Sequence, residues 1–505
     1  MKKLHLKFLE NYNHILIDSD PITIFNLSKI MGYQIPNFHF IKMQYKRKYG
    51  REMAWDGFTS YITRKNHAPY GSIGFIEQYC KDNNISFSKD KELENVYDEE
   101  LYEKVLNDEY SINGEKVELR EAQKNVFHTA VIMGNCSIIS PTSSGKTLSM
   151  YLICKYHLAL GNKILIIVPQ ISLVSQGLSD FYSYGYNGKI NGIKAGEDRV
   201  PSDITFSTFQ TLTKIPELTN NYQVLIVDEL HRIKSKSIID IIKKSSTLKY
   251  TIGLTGTLKE DSEERMIASC FIGMPLQMTT TKELMDKKIV AKLNVEVVRL
   301  LYNKQERENK PNSYIAEKHF FNRHVLRNDK IIQLAKELNK TGIIAVNEIE
   351  HCQYLFDRAR QLFPELNIYQ IRGNHNQRND VMYKTLDELK PLIEKEQNAI
   401  LIVGLKVFST GISLKNINFG IMATSTKSYI TIIQTIGRGL RVNEVKKDFV
   451  FIDILDDLRL DEFDETYSYA HYTERLKYYK EQNFTVNKHS ITLGYPVPDC
   501  YNYFH

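Results

Sequence analysis

The stretch 138–148, IISPTSSGKTL, decides how the rest of the chain is read. A phosphate-binding loop has the form G-x-x-x-x-G-K-[ST], set between a buried strand and a helix. Gly145, Lys146 and Thr147 supply its last three letters, while Ser140 stands where the first glycine belongs. The setting fits, because the apolar run CSIIS (136–140) precedes the loop and a helix-favouring run begins near Leu148. In that setting Pro141, Thr142, Ser143, Ser144 and Gly145 wrap phosphates, with backbone N–H groups at the helix start cradling them. Lys146 is placed to reach the β- and γ-phosphates, and Thr147 to hold Mg²⁺. Alone, the pattern also describes a serine-rich helix cap.

It does not stand alone. Eighty-two residues beyond Lys146, the run VLIVDELH (224–231) ends a strand with Asp228 and Glu229. A carboxylate at a strand tip beside such a loop suits a Mg²⁺ ligand, which assigns Asp228. Glu229 is then the group that orients or deprotonates an attacking water.

The chain as a whole bounds these readings. Its 505 residues allow about three domains of ordinary size. Hydrophobic content of 42% and charged content of 25% are those of a globular protein. A net charge of +6 is small at this length, so any surface for a polyanion must be local. Six scattered cysteines without a C-x-x-C pair argue against a zinc site or a disulfide framework. No apolar run approaches a membrane span and the first residues form no signal-peptide core, so a soluble cytoplasmic protein is expected.

Texture divides the chain. Residues 1–87 carry 12 Lys/Arg against 7 Asp/Glu, and include the basic run KMQYKRKYGR at 42–51. An acidic, helix-favouring connector follows. From about Leu119, short Ile/Leu/Val strands alternate with polar loops and helices: 163–168, 224–229 and 250–255, then 342–346, 367–371, 399–403, 419–423 and 449–455. Such alternation implies parallel strands covered on both faces by helices. The expected organisation is α/β, with a small α+β N-terminal domain at 1–110 and two α/β domains at 111–285 and 286–505.

PTSSGKT, IIVPQ, VDELH, GLTGT, FSTGIS and QTIGRGLR occur in that order. Together they resemble the motif series of superfamily 2 helicases, DExH branch, across roughly Leu119 to Asp457. The resemblance implies two tandem RecA-like domains with an ATP site in the cleft between them. In that superfamily the loop usually reads PTGSGKT, so Ser140 is ordinary and Ser143 is the departure, at a point where glycine tolerates any φ. LREAQ (119–123) resembles the adenine-reading signature upstream of the loop, which assigns Gln123 to the base. Thr255, Gly256 and Thr257 match the hinge of motif III. Gln434, Arg438 and Arg441 match motif VI, where the two arginines, a helix turn apart, reach the γ-phosphate. Ser409, Thr410 and Gly411 match motif V, touching nucleic-acid phosphates and the ATP site. SLVSQ with Gln176, STFQTL with Thr208 and Gln210, and the pair Arg372 and Arg378 resemble the remaining nucleic-acid motifs. Contacts of that kind read phosphates rather than bases.

The N-terminal region matches no general helicase motif. Its run bearing Lys46, Arg47, Lys48 and Arg51 is interleaved with tyrosines, a mixture suited to phosphate contact and stacking. With Trp55-Asp56-Gly57 and a motor lacking long insertions, the chain looks like the UvsW family of phage helicases. That resemblance implies an ATP- and Mg²⁺-dependent DNA translocase of branched DNA: Holliday-junction branch migration, fork regression, D-loop and R-loop unwinding. It also implies a monomer in isolation, working in the host cytoplasm alongside recombination or single-strand-binding proteins. The motor of a restriction-type nuclease complex and a DExH RNA helicase stay open as alternatives.

Overall fold

The computed structural model describes residues 2–35, 37–141, 144–194, 200–233, 236–258, 263–372, 376–378, 381–383, 386–410, 414, 416–441 and 446–494. It divides into two compact units, Met1–Thr279 and Thr280–His505.

The first unit opens with a four-stranded sheet of β1 (Lys3–Phe8), β2 (His14–Ser19), β3 (His67–Pro69) and β4 (Ser86–Lys89), in the order β3-β2-β1-β4. Alternation along β1 buries Leu4 and Leu6 and turns Lys7 outward, as period-2 patterning requires. Between β2 and β3 the chain makes an excursion through helix α1 (Phe38–Tyr49), which carries the basic run and has no buried residue. The small sheet shares one apolar core with the α/β layer behind it, Leu4 and Ile15 joining Leu165 and Val227. Gly71 allows that approach: a Cβ there would lie 2.5 Å from the Phe271 carbonyl carbon.

The α/β layer of this unit has seven parallel strands: β5 (Asn135–Ile139), β6 (Ile164–Val168), β7 (Ile190–Ile193), β8 (Ile204–Thr208), β9 (Val224–Asp228), β10 (Tyr250–Thr255) and β11 (Pro275–Gln277). Their order is β7-β8-β6-β9-β10-β5-β11. Helices α2 (Glu121–Met133), α3 (Lys146–Ala159) and α4 (Ile171–Ser183) cover it. α3 starts at Lys146, two residues earlier than the sequence suggested.

The second unit begins with α5 (Thr281–Asp286) and holds seven further parallel strands: β12 (Lys292–Leu301), β13 (Gly342–Val346), β14 (Ile368–Ile371), β17 (Ile400–Gly404), β18 (Phe419–Met422), β19 (Asp448–Asp457) and β20 (Val486–Thr492). An antiparallel ribbon, β15 (Asn376–Arg378) and β16 (Val381–Tyr383), extends one edge, giving the order β16-β15-β14-β17-β13-β18-β19-β12-β20. Helices α6 (Tyr429–Gly439) and α7 (Tyr467–Glu481) pack on it. Two parallel layers flanked by helices are the tandem RecA-like arrangement. No helix among the described residues is long and apolar enough to cross a membrane.

Two buried polar clusters fasten the second layer. Arg475 of α7 makes paired 2.9 Å contacts with Asp453 of β19, and the Tyr479 hydroxyl donates to the same carboxylate at 2.9 Å. Asp453→Ala is expected to strand the Arg475 charge and cost this unit about 3–5 kcal/mol, seen as a lower urea midpoint. Glu317 is buried and accepts the Ser468 N–H at 2.9 Å. Burial pushes its carboxyl up to about 7, against the pull of that N–H. A folded value above the unfolded one means the group's stabilisation is complete below about pH 4.5 and fades as pH rises through about 7. Glu317→Gln is therefore expected to leave the unfolding temperature unchanged at pH 4 and raise it at pH 8.

Candidate nucleotide and nucleic-acid site

The loop after β5 is held from three directions. Ser140 donates its backbone N–H to Thr255 at 2.8 Å and its hydroxyl to Ser144 at 2.8 Å. Gly145 takes a left-handed φ of 88°, and a Cβ there would sit 2.2 Å from Nε2 of Gln123. The left-handed φ calls for glycine here, and a Cβ would also displace the end of the Gln123 side chain. The Gln123 amide is buried, its Oε1 accepting the Arg120 N–H at 2.8 Å and its Nε2 lying 3.5 Å from the Gly145 carbonyl. It braces the loop against the start of α2. Lys146 heads α3 and donates Nζ to the carbonyls of Ser140 at 3.0 Å and Pro141 at 3.2 Å. Thr147 follows in the first turn, where the helix presents backbone donors. Thr142 and Ser143 lie outside the described residues.

Asp228 ends β9, two strands from β5, with β10 between them. Burial first, then the neighbouring Glu229 charge, raise its carboxyl to about 6, while Lys146 pulls the other way. Glu229 has φ 54° and ψ 54°, a left-handed conformation that costs a residue with a Cβ of order 1–3 kcal/mol. Its Oε2 lies 3.2 Å from Nδ1 of His231, which is 3.3 Å from the Thr255 hydroxyl. Thr255 in turn donates to the Thr257 carbonyl at 2.9 Å. The carboxylate is thereby linked through His231 to the turn after β10. The sequence reading gave His231 no role of its own, although its place two residues beyond Glu229 was in view.

In the second unit Gln434 and Arg438 lie on α6 and Arg441 just beyond its end. Burial lowers the Arg441 guanidinium from its ordinary value. Ser409 and Thr410 belong to the short helix Leu405–Thr410, but their side chains and all of Gly411 lie outside the described residues.

The other nucleic-acid candidates separate into distinct settings. Gln176 on α4 and Gln210 on the helix Phe209–Leu212 are exposed. Thr208 is buried, and its hydroxyl accepts the Thr211 N–H at 3.3 Å as a helix cap. Arg372 follows β14, half-buried. Arg378 on β15 is engaged within the protein, donating to Asn367 at 2.7 Å and Glu396 at 2.8 Å. On α1, Lys46 pairs with Glu52 at 2.8 Å, and Arg47, Lys48 and, beyond the helix, Arg51 are exposed. Trp55 is half-buried and donates Nε1 to the Phe58 carbonyl at 2.7 Å.

Two family models match in series, the res subunit of type III restriction enzymes over residues 116–260 and the helicase conserved C-terminal domain over residues 326–443. The chain is 26% identical over 464 residues to the ATP-dependent DNA helicase uvsW of Enterobacteria phage T4, spanning 88% of this chain and 89% of that one. The chain is a superfamily 2 helicase resembling UvsW. This helicase is also 24% identical over 422 residues to putative helicase 22 of a Sulfolobus islandicus filamentous virus, covering 76% and 71% of the two chains. It shares its fold with a putative HsdR subunit fragment of a type I restriction enzyme from Vibrio vulnificus YJ016, at a TM-score of 0.52 and 14% identity over 91% of this chain and 83% of that one.

A helicase of this kind is a nucleic-acid-dependent ATPase, and the loop geometry makes one position decisive. Gly145→Ala meets both a left-handed φ and the Gln123 amide. It is expected to weaken nucleotide binding at least about tenfold, the scale of one lost charged hydrogen bond, while the thermal unfolding midpoint stays within a few degrees. Binding of a fluorescent ATP analogue checks it.

Proposed function

We propose that this helicase is an ATP-driven DNA translocase that remodels branched DNA, acting in branch migration, fork regression and the opening of D-loops and R-loops. One observation carries the reading. The similarity to an ATP-dependent DNA helicase covers 88% of the chain, more than residues 116–505 can hold, so it enters the N-terminal region as well as the motor. There α1 offers exposed Arg47 and Lys48 beside Tyr45 and Tyr49, whose rings are 4.7 Å apart. Cations with aromatic neighbours suit phosphate contact combined with stacking.

The residues of the nucleotide site fit ATP with Mg²⁺. Thr147 and Asp228 supply a hydroxyl and a carboxylate, the hard oxygen donors that Mg²⁺ accepts while keeping several waters. Magnesium when bound neutralises phosphate charge. Lys146 exchanges the Ser140 and Pro141 carbonyls for phosphate oxygens. Glu229 takes the proton of the attacking water, held in place by His231. Arg438 and Arg441, with Gln434 of the same motif, stabilise charge on the transferred group. Gln176, Gln210, Arg372, Ser409 and Thr410 track the strand through its phosphates, which makes binding salt-dependent and indifferent to sequence.

The decisive measurement is ATP hydrolysis with four-way junction DNA, linear duplex, single-stranded DNA or single-stranded RNA. Junction DNA is expected to stimulate most strongly. A preference for RNA would favour an RNA helicase, and a flat response across DNA would remove the branched substrate. Lys146→Ala and Glu229→Gln are each expected to abolish unwinding, with losses of about 10²-fold or more in turnover, and to leave DNA affinity near its original value. Equal loss of binding would show that these residues do not serve the nucleotide.

A further inference from the structure

The second unit contains a cavity of about 640 Å³ where α5, the start of β12, the lead into β19 and the turn after α7 meet. That is the size of a small-ligand site. Lys282, Lys288, Lys292, Lys446 and Lys447 line it against one carboxylate, Asp286. Met285, Val290 and Leu293 give it an apolar side.

The lysines are not all accounted for by the fold. Lysines near helix C-termini usually cap carbonyls, and Lys446 does this: it is buried and donates to the Gly439 carbonyl at the end of α6. Lys282, Lys288, Lys292 and Lys447 make no ion pair or side-chain hydrogen bond among the described residues. Five ammonium groups gathered around a hollow with one carboxylate among its described lining residues raise the local positive potential. An anion with several acceptor oxygens would balance this excess of ammonium groups, and the apolar side leaves room for a flat group beside it.

We propose that this hollow is a second ligand site, taking a phosphorylated nucleoside with its phosphates on the lysines and its base against Met285, Val290 and Leu293. The nucleoside belongs either to a free nucleotide or to a unit of a nucleic-acid strand. The site is tied to the end of the α6 segment that carries Arg438, since Ala291, between the lining residues Val290 and Lys292, donates to the Leu440 carbonyl at 2.9 Å and Lys446 holds Gly439. Occupancy would therefore be felt beside the motif VI arginines, a consequence that rests on the role given to them above.

The test is equilibrium dialysis of the full chain with ADP. The parent protein is expected to bind two ADP, and Lys146→Ala to retain one. Adding Lys288→Glu and Lys447→Glu, both at exposed positions, is expected to weaken the retained site at least about tenfold. A short 5′-phosphorylated oligonucleotide that displaces this ADP assigns the site to strand units; ADP that stays bound assigns it to free nucleotide. One ADP in the parent, or retained binding unmoved by the two charge reversals with an unchanged unfolding midpoint, overturns the proposal. Turnover of ATP by the parent is a separate readout, so failure here does not touch the translocase reading.

Discussion

The register of β10 between β5 and β9 is the constraint on which the first unit depends. Asp228 is paired with Leu254, Leu254 with Ile138, and Thr255 with Ile139. Ser140 then continues the ladder with its bond to Thr255. The phosphate loop and the acidic tip are thereby fixed two strand spacings apart, about 9–10 Å, at the same height. A slip of one residue in either pairing would turn Asp228 into the sheet face and carry the loop out of line with it. Full burial of Ile138, Ile226, Ile252 and Leu254 makes such a slip costly, so the chemistry of the loop is held by apolar side chains that never approach a phosphate.

How far this was legible follows from what each residue needs. Strands buried on both faces announce themselves as apolar runs, and β5, β6, β9, β10, β13, β14, β17, β18 and β19 were all visible that way. β7, β8, β11, β12 and β20 were not. Glu296 interrupts β12 and is buried, satisfied by Asn487 at 2.9 Å and His489 at 2.7 Å across on β20. A strand whose charge is answered by a neighbour some 190 residues later cannot be recognised by local pattern, and the polar run VNKHSIT shows no apolar alternation for the same reason. The ribbon β15–β16 is too short for any pattern.

The candidate site shows the same division. Residues that act through their own chemistry and fixed spacing, such as Lys146, Asp228 and Glu229, stood out in the sequence. Residues whose use depends on a tertiary partner did not declare it. Thr208 caps a helix, Arg378 is bonded to Asn367 and Glu396, and Gln123 braces Gly145. In each case the side chain suggested a ligand contact, and the fold gives it an internal partner. For Gln123 the two uses are compatible, since an amide that supports the loop is already beside any nucleotide the loop holds.

The left-handed backbone of Glu229 is expensive, and its longer side chain lacks the short local reach by which Asn or Asp settles in that region. The surroundings hold it instead. Gly253, which follows the paired Ile252 on β10, leaves room for Leu230: a Cβ there would lie 2.4 Å from Cδ2 of Leu230. Leu230 is fully buried and anchors the turn, and His231 then reaches back to both Glu229 and Thr255. The strained carboxylate is therefore positioned by the packing of its two successors against β10, the strand that sets the register. A shift at Thr255 would be transmitted through His231 to Glu229 over two contacts, with no rearrangement of the sheet.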